Sequence, residues 1–302
     1  MIAASDALAT ATRVERLRQY MGAQVLGSSG DCICRKLGSC RRSVLFDRRG
    51  EPRPEVSYGA GQLSHVGRHY DLTLDGKPCR ILVIAMDTVR LREHVTLEQR
   101  HAEVMESADV PFTRRNPHMR GTASALRLAV GRQPGDDREG EQLHISGARQ
   151  PVHLFDAYAM ANLRLCSATA DGERSLSSAT MSRNCLPHLA ATIKILEPTL
   201  CIVQGVQVNR VLSELISRRR QVAPHVEQAR VAGVDALVAA FTNPSARGIY
   251  RWGQLTGVPY LYGTVVPALR VAHQLVVGAP ALSSNAVHPQ RRPAVPDRQP
   301  PG

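Results

Sequence analysis

Short apolar runs recur along the chain, separated by longer stretches that mix polar and apolar residues. Four of the runs have the length and composition of buried strands, at residues 80–86, 154–163, 200–204 and 236–242. Helical patterns lie between and after them, at residues 97–108, 122–130, 185–196, 206–218 and 262–276. Because strands that alternate with helices form parallel sheets, we expect an α/β protein. Its predicted architecture is a three-layer α/β/α arrangement with a central, mainly parallel four-stranded sheet.

The two ends of the chain lack this alternation. Residues 3–22 have a helix-forming composition with Ser5 or Asp6 as the N-cap, whereas residues 31–60 have the composition of a loop. The tail from Ala279 is rich in proline and arginine, with few residues to bury, so we predict disorder there. We therefore divide the chain into an N-terminal helix (1–29), an α/β domain (30–278) and a tail (279–302).

The charge balance favours a polyanionic partner. Lysine and arginine number 38 against 26 acidic residues, and the net charge is +12. Most of the basic residues are arginines, which can fork two hydrogen bonds onto a phosphate. They cluster at residues 90/92, 114/115/120 and 218–220. Each cluster taken alone is explained equally well as a solvated face.

No run of 18 or more apolar residues occurs, and residues 1–19 lack the apolar core of a signal peptide. We expect a cytoplasmic monomer that has no membrane partner. The seven cysteines are an odd number for a disulfide framework. In a reducing compartment, clustered cysteines more often bind metal than form pairs.

Polar residues follow three of the four predicted strands. They are Asp87, Asn162 and the run Asn243-Pro244-Ser245. In parallel α/β sheets the functional residues gather at the carboxyl ends of strands, so these positions are candidates for one site. Each also has a plain structural explanation, because Asp, Asn and Asn-Pro-Ser are common in helix caps and in turns that end strands.

The order of these motifs resembles that of the uracil-DNA glycosylase superfamily. Residues 84–88 (IAMDT) stand where members carry Gly-Gln-Asp-Pro-Tyr or Gly-Glu-Ala-Pro-Gly. The resemblance implies that Asp87 positions water and stabilises positive charge on the sugar, and that Asn162 reads a flipped uracil. Both glycines and the proline of the family motif are absent here, so the loop carrying Asp87 is expected to differ in shape.

Asn243-Pro244-Ser245 occupies the place of the family's His-Pro-Ser motif, and Arg247 follows it. The resemblance implies that residue 243 donates a hydrogen bond to the uracil O2, while Pro244, Ser245 and Arg247 contact the DNA. A neutral asparagine amide is a weaker donor than the family's imidazole. The activity is therefore expected to be weaker, or the substrate different.

Pro117-His118 sits where the iron-sulfur branch of the superfamily has Pro-Phe before a glycine and a helix. The resemblance implies that His118 stacks on the base. An exposed loop histidine is an equally good interpretation.

Two cysteines match the iron-sulfur branch closely. Cys166 comes four residues after Asn162, and Cys185 begins the next predicted helix. The resemblance implies that both are ligands of a 4Fe–4S cluster. Zinc is the alternative, because four thiolates also suit that metal.

The first pair of ligands is less regular. Cys34 and Cys40 are our choice, with Cys32 as the rival of Cys34, whereas family members usually have two residues between the first two cysteines. Cys79 and Cys201 lie in or beside apolar strands and are better explained as core residues.

The resemblance thus implies a DNA-repair N-glycosylase that flips uracil or another deaminated base and excises it by hydrolysis. The altered motifs leave a second hypothesis, a catalytically weak iron-sulfur protein that binds nucleic acid on the same fold. A metal-dependent nucleotide-processing or regulatory protein is the third.

Overall fold

The computed structural model describes residues 2–88, 92–170, 174–176, 178–254 and 258–278. The tail for which we predict disorder lies outside these residues. The fold is mixed α/β. Its helices are α1 (Ala7–Gln24), α2 (Leu37–Leu45), α3 (Leu97–Asp109), α4 (Pro117–Ala129), α5 (Ala179–Leu196), α6 (Val206–Leu212) and α7 (Val266–Val277). Its strands are β1 (Ala3–Ser5), β2 (Val56–Gly59), β3 (His65–Val66), β4 (Leu72–Leu74), β5 (Lys77–Pro78), β6 (Ile81–Ala85), β7 (Gln142–Leu143), β8 (Val152–His153), β9 (Ala159–Asn162), β10 (Ser167–Ala170), β11 (Arg174–Ser175), β12 (Leu200–Gln204), β13 (Ile216–Ala223), β14 (Val226–Val231) and β15 (Val234–Phe241).

The largest sheet has seven strands, where the sequence predicts four. Their order is β13-β14-β15-β12-β6-β9-β3. The pairings β15–β12, β12–β6 and β6–β9 are parallel. β3 adds antiparallel to β9 at one edge, and the hairpin β13–β14 adds antiparallel to β15 at the other. The sheet is therefore mixed.

The parallel strands are apolar because the sheet is buried on both faces. Every residue of β6 and β12 is buried. Along β6, Ile81 and Val83 join a core that contains residues of α4 and α7, while Leu82 and Ile84 join a second core with α1 and α5. A strand covered on both faces reads as a continuous apolar run, and this explains why the sequence shows these strands clearly.

Tertiary contacts override the local pattern in several segments. The helix predicted over 206–218 ends at Leu212, and Ile216 already begins β13, which pairs with β14 along its length. The predicted loop 31–60 contains α2, whose buried Cys40 and Val44 pack in a small core. The strand predicted over 154–163 is confined to β9, because Leu154–Asp156 forms a 3-10 turn.

The N-terminal helix is part of the folded body. Asp6 is its N-cap and accepts a hydrogen bond from the Ala9 amide at 2.9 Å. Leu17 and Met21 are buried in the same core as Ile193 of α5. Within the described residues, none of the helices has the length and apolar character needed to cross a membrane.

Candidate active site and thiol cluster

The parallel strands bring two of the candidate side chains to adjacent strand ends. Asp87 lies two residues beyond β6, and Asn162 is the last residue of β9, paired in register with Ala85. Asn243 follows β15, which is separated from β6 by β12. With neighbouring strands about 4.8 Å apart, the end of β15 lies about 10 Å from the end of β6.

Asp87 is held in a buried ion pair. Its side chain is only 4% exposed, and its Oδ2 lies 2.9 Å from Nη2 of Arg164. The Ser175 hydroxyl donates to the same oxygen at 2.8 Å. Burial raises the pKa of Asp87, against the opposing effects of Arg164 and Ser175. The carboxylate is therefore placed beside the strand ends with its orientation set by two partners.

Arg164 is a site residue that the sequence analysis missed. Its side chain is 1% exposed, and its Nε and Nη1 have no hydrogen-bond partner among the described residues. Buried donors without partners are costly, which makes this arginine a candidate functional residue. The signal was present in the sequence, because a charge within the apolar stretch 159–165 must be paired if the stretch is buried. Its two-residue spacing from Asn162 also places both on one face of an extended chain.

The amide of Asn162 is positioned by the loop that carries Asp87. Its Nδ2 donates to the hydroxyl oxygen of Thr88 at 3.1 Å. The carbonyl of Thr88 in turn accepts a hydrogen bond from the Ser167 hydroxyl. The loop after β6 is thus anchored to the chain that continues from β9, and the buried Asn162 presents a defined orientation.

The Asn243 side chain is engaged in its own turn. It is exposed, and its Oδ1 accepts a hydrogen bond from the backbone amide of Ser245 at 2.8 Å. Pro244 is buried against α4, where it packs on Gly121. A Cβ added at Gly121 would lie only 2.5 Å from Cβ of Pro244. Ser245 and Arg247 are exposed. Asn243-Pro244-Ser245 therefore forms a turn after β15, and the turn presents Ser245 and Arg247 to solvent.

His118 belongs to a helix and not to a loop. Helix α4 begins at Pro117, five residues earlier than the pattern predicts, because Asn116 caps it by accepting a hydrogen bond from the Met119 amide. His118 is half-buried, and desolvation lowers its pKa to about 4. The imidazole is therefore neutral at neutral pH. A neutral ring can stack on an uncharged base without the cost of desolvating a charge.

A buried glutamine links α4 to the centre of the sheet. Gln204 ends β12 and is 0% exposed, and its Nε2 donates to the Thr122 hydroxyl at 3.2 Å. Because β12 lies between β6 and β15, this contact fixes α4 against the middle of the parallel strands. The sequence signal was a polar residue at the end of an otherwise apolar strand.

Five of the seven cysteines interact with one another. The interaction between Cys32 and Cys166 lowers the pKa of Cys166 to about 6 and raises that of Cys32. Burial raises the pKa of Cys185, and the neighbouring Cys166, Cys40 and Cys34 raise it further. The structure thus brings together every cysteine considered as a ligand. No group of three or more His, Cys, Asp or Glu side chains in the described part of the chain is arranged to hold a metal ion.

Polar groups surround this thiol cluster, by which we mean Cys32, Cys34, Cys40, Cys166 and Cys185. The Asn184 amide donates to the Cys40 sulfur at 3.3 Å, and Nε2 of His188 lies 3.7 Å from the Cys34 sulfur. Hydrogen bonds to sulfur suit thiolates that bind a metal or an iron-sulfur cluster. These thiols and their polar neighbours suit a metal ion or an iron-sulfur cluster, although the thiols are not arranged as a complete set of ligands.

The remaining two cysteines lie elsewhere in the protein. Cys79 and Cys201 are 0% exposed and belong to the two main cores. Burial raises the pKa of each to about 12. Both are core residues in this fold.

The arginine clusters differ in their availability to a phosphate. Arg115 is buried in a bidentate pair with Glu141, at 2.7 Å for both contacts, and cannot reach a ligand. Arg120 donates to a backbone carbonyl at 2.8 Å. Arg90 lies outside the described residues. The arginines at 218–220 are exposed, but they stand on the edge strand β13.

Sequence comparison with known proteins finds no match. No model of a protein family matches the chain, and a search of curated proteins gave no match either.

Proposed function

We propose that the protein is a DNA N-glycosylase that flips uracil or another deaminated base and excises it by hydrolysis. The proposed architecture is the three-layer α/β/α arrangement built around the parallel strands, in a cytoplasmic monomer. The observation that supports this most is the register Ala85–Asn162, which sets a buried carboxylate and a buried amide at adjacent strand ends.

The chemistry of excision suits these two groups. The oxygen of a water molecule bonds to the sugar carbon as the bond from that carbon to the base nitrogen breaks. The base leaves with the electron pair, and the proton that the water loses balances the proton that the departing base takes up. The sugar passes through an oxocarbenium-like state, which a fixed carboxylate at Asp87 would stabilise. The Asn162 amide offers one donor and one acceptor, the complement of a uracil edge with its O4 and N3–H.

Arg164 would serve as a positioning residue in this reaction. Its guanidinium favours the charged form of Asp87 and fixes the carboxylate beside the strand ends. The half-buried His118 on α4 would stack on the flipped base, and the exposed Ser245 and Arg247 would contact the DNA backbone.

The thiol cluster is proposed to hold a 4Fe–4S cluster, with zinc as the alternative. Cys34, Cys40, Cys166 and Cys185 are the proposed ligands, and Cys32 rivals Cys34 because it interacts with Cys166. Such a group would supply folding energy by linking α2, α5 and the segment after β9.

Three contacts favour the second hypothesis, a catalytically weak protein that binds nucleic acid. Both Arg164 and Ser175 engage Asp87, and the Asn243 carbonyl is occupied by its own turn. A carboxylate and an amide with these partners can hold a base without activating water efficiently.

One assay separates the two hypotheses. Purified protein is incubated with oligonucleotides that contain uracil, hypoxanthine or xanthine, and abasic sites are then cleaved with alkali. Excision by the wild type that is lost in Asp87→Asn supports the glycosylase. Tight binding of these oligonucleotides without excision of any of the bases supports the binding protein instead.

A second experiment tests the proposed metal group. A thiolate-ligated iron cluster gives a broad absorbance near ~400 nm, and iron, sulfide and zinc are quantified in the same preparation. Cys166→Ser and Cys185→Ser should lose the metal, whereas Cys201→Ser, a core variant, should keep it. A colourless protein with stoichiometric zinc rejects the iron-sulfur cluster, and metal-loaded Cys166→Ser and Cys185→Ser variants reject the ligand assignment.

A further inference from the structure

The outer strand of the large sheet exposes both its side chains and its backbone edge. β13 pairs with β14 on one side and has no strand on the other within the described residues. Five consecutive residues, 217–221, are exposed, and three of them are arginines. An unpaired strand edge is a template for the addition of another strand.

This arginine edge, which we define as Arg218, Arg219 and Arg220, is remote from the candidate active site. Arg218 pairs in register with Arg230, which pairs with Asp235 near the start of β15. The candidate site lies beyond the other end of β15, after Phe241. Six residues of extended strand separate Asp235 from Phe241, a distance of about 20 Å.

The charges along the edge are only partly neutralised within the protein, because Nε of Arg219 lies 3.7 Å from a carboxylate oxygen of Glu227. Arg218 stands directly opposite Arg230, and like charges directly opposite each other destabilise a sheet. Arg218 has no ion pair or hydrogen bond to another side chain in the described part of the chain, whereas Arg220 donates to Gln228. The edge therefore carries uncompensated positive charge at Arg218 and Arg220, which an acidic partner would relieve.

A groove runs beside the arginine edge on the face that carries α7. Its volume is about 570 Å³. Arginines 218–220 and Arg230 line the groove, and the partly buried Leu275 and Val276 contribute an apolar surface. The groove can thus accept a side chain with apolar as well as polar contacts.

We propose that the arginine edge binds an extended acidic peptide segment of a partner protein, which adds to β13 as an eighth strand. Main-chain hydrogen bonds would supply affinity, and acidic side chains would pair with the arginines. Alternation along a strand places Arg218 and Arg220 on one face and Arg219 on the other. Consecutive acidic residues of an added strand match this arrangement, whereas a DNA duplex lies against only one face.

A second copy of the chain is a poor occupant of the same edge. Antiparallel pairing of β13 with its own copy would bring the arginines of the two strands together, and the like charges would repel. The charge pattern therefore selects a partner of opposite sign.

The test uses a labelled short peptide with consecutive glutamates flanked by valines, titrated into the full chain. Arg218→Glu/Arg220→Glu should raise the dissociation constant at least about tenfold. The matched control is Arg48→Glu/Arg49→Glu, which makes the same change of charge at exposed positions of a distant loop and should leave binding unchanged. Thermal unfolding confirms that both variants fold, and Arg219→Gln is the milder variant if the double substitution does not.

Amide hydrogen exchange distinguishes strand addition from attraction of charges alone. Peptide binding should slow exchange at residues 217–221, and a matched peptide with glutamine in place of glutamate should bind weakly. The proposal is overturned if the acidic peptide does not bind, if exchange in β13 is unchanged, or if Arg48→Glu/Arg49→Glu weakens binding equally. Displacement of the peptide by oligothymidylate at equal concentration would overturn it in favour of a nucleic-acid surface. Excision activity plays no part in this test.

Discussion

Two buried arginines of this protein, Arg115 and Arg164, look alike by burial and by partner type, yet their surroundings differ. Their side chains are 3% and 1% exposed, and each pairs with a carboxylate. Arg115 uses all three of its nitrogens, donating to both oxygens of Glu141 and to backbone carbonyls. Arg164 uses only Nη2, and its Nε and Nη1 lack partners among the described residues.

The difference separates an ion pair whose donors are all satisfied from an incomplete one, which we propose to be functional. A buried pair whose donors are all satisfied contributes to a single folded state, and nothing remains for a ligand to add. An ion pair with unsatisfied buried donors destabilises the folded state, and such unsatisfied groups are concentrated at functional sites. Arg164 lies at the strand ends beside Asn162, where a parallel sheet places its ligands.

The largest expected effect is on stability, and it separates the two pairs directly. Arg115→Met should lower the free energy of unfolding by about 3–5 kcal/mol, because it leaves Glu141 buried without its bidentate partner. Arg164→Met should lower it by about 1 kcal/mol, since the lost ion pair is partly offset by removal of two unpaired donors. Urea denaturation of both variants measures this. Equal losses would show that the missing partners of Arg164 have no energetic consequence.

The next effect concerns catalysis and depends on the proposed function. Asp87→Asn should slow excision by about 10²-fold or more with DNA affinity nearly unchanged, because it removes the charge and keeps the size. Glu141→Gln makes the same chemical change in the structural pair and should leave the excision rate of the folded protein unaffected. Single-turnover kinetics and a binding isotherm measure the two quantities. Excision by an unimpaired Asp87→Asn variant would move the chemistry to another residue.

The pH dependence of stability should have opposite signs at the two carboxylates. Burial favours the neutral acid at Glu141, but hydrogen bonds from His153 and Arg115 outweigh it and lower the pKa. Its contribution to stability is therefore fully present above the unfolded value of about 4.3 and is lost as the pH falls through the lower folded value.

Asp87 behaves in the reverse way, because burial leaves its folded pKa raised. The stability it contributes is fully present below the unfolded value of about 3.9 and is lost as the pH rises through the folded value. Urea midpoints from pH 3 to pH 7 for Glu141→Gln and Asp87→Asn, each compared with the wild type, measure both. If the stability differences of the two variants from the wild type changed with pH in the same direction, the opposite signs expected for Glu141 and Asp87 would be wrong.

The smallest effect is expected at the exposed turn beside the site. Arg247→Gln should reduce the slope of log affinity against log salt for DNA by about one unit, if one phosphate contact is lost. The matched control is Arg48→Gln, at an exposed position of another loop. A flat salt dependence in the wild type would remove phosphate contacts from the proposal altogether.

The local sequence pattern was sufficient to predict the strands at the centre of the large sheet. The apolar run 200–204 coincides with β12, and the run 80–86 contains β6, because strands buried on both faces need apolar residues at every position. The polar residues after such runs were also identified, and Asp87 and Asn162 lie at neighbouring strand ends as their positions predict. The clustering of Cys166 and Cys185 with the N-terminal cysteines could likewise be anticipated from motif order.

Other features depend on contacts between distant parts of the chain. The helix predicted over 206–218 ends at Leu212, and its last residues belong to β13, since backbone pairing with β14 outweighs a weak helical preference. Periodicity shows that Arg164 is enclosed by apolar residues, but not that its partner is Asp87 or that two of its donors lack partners. The amino-acid sequence by itself therefore determined which segments are buried and where polar residues end them. Only the tertiary structure decided which buried charges meet, because hydrogen bonds and ion pairs depend on the distances between atoms that the chain brings together from far apart.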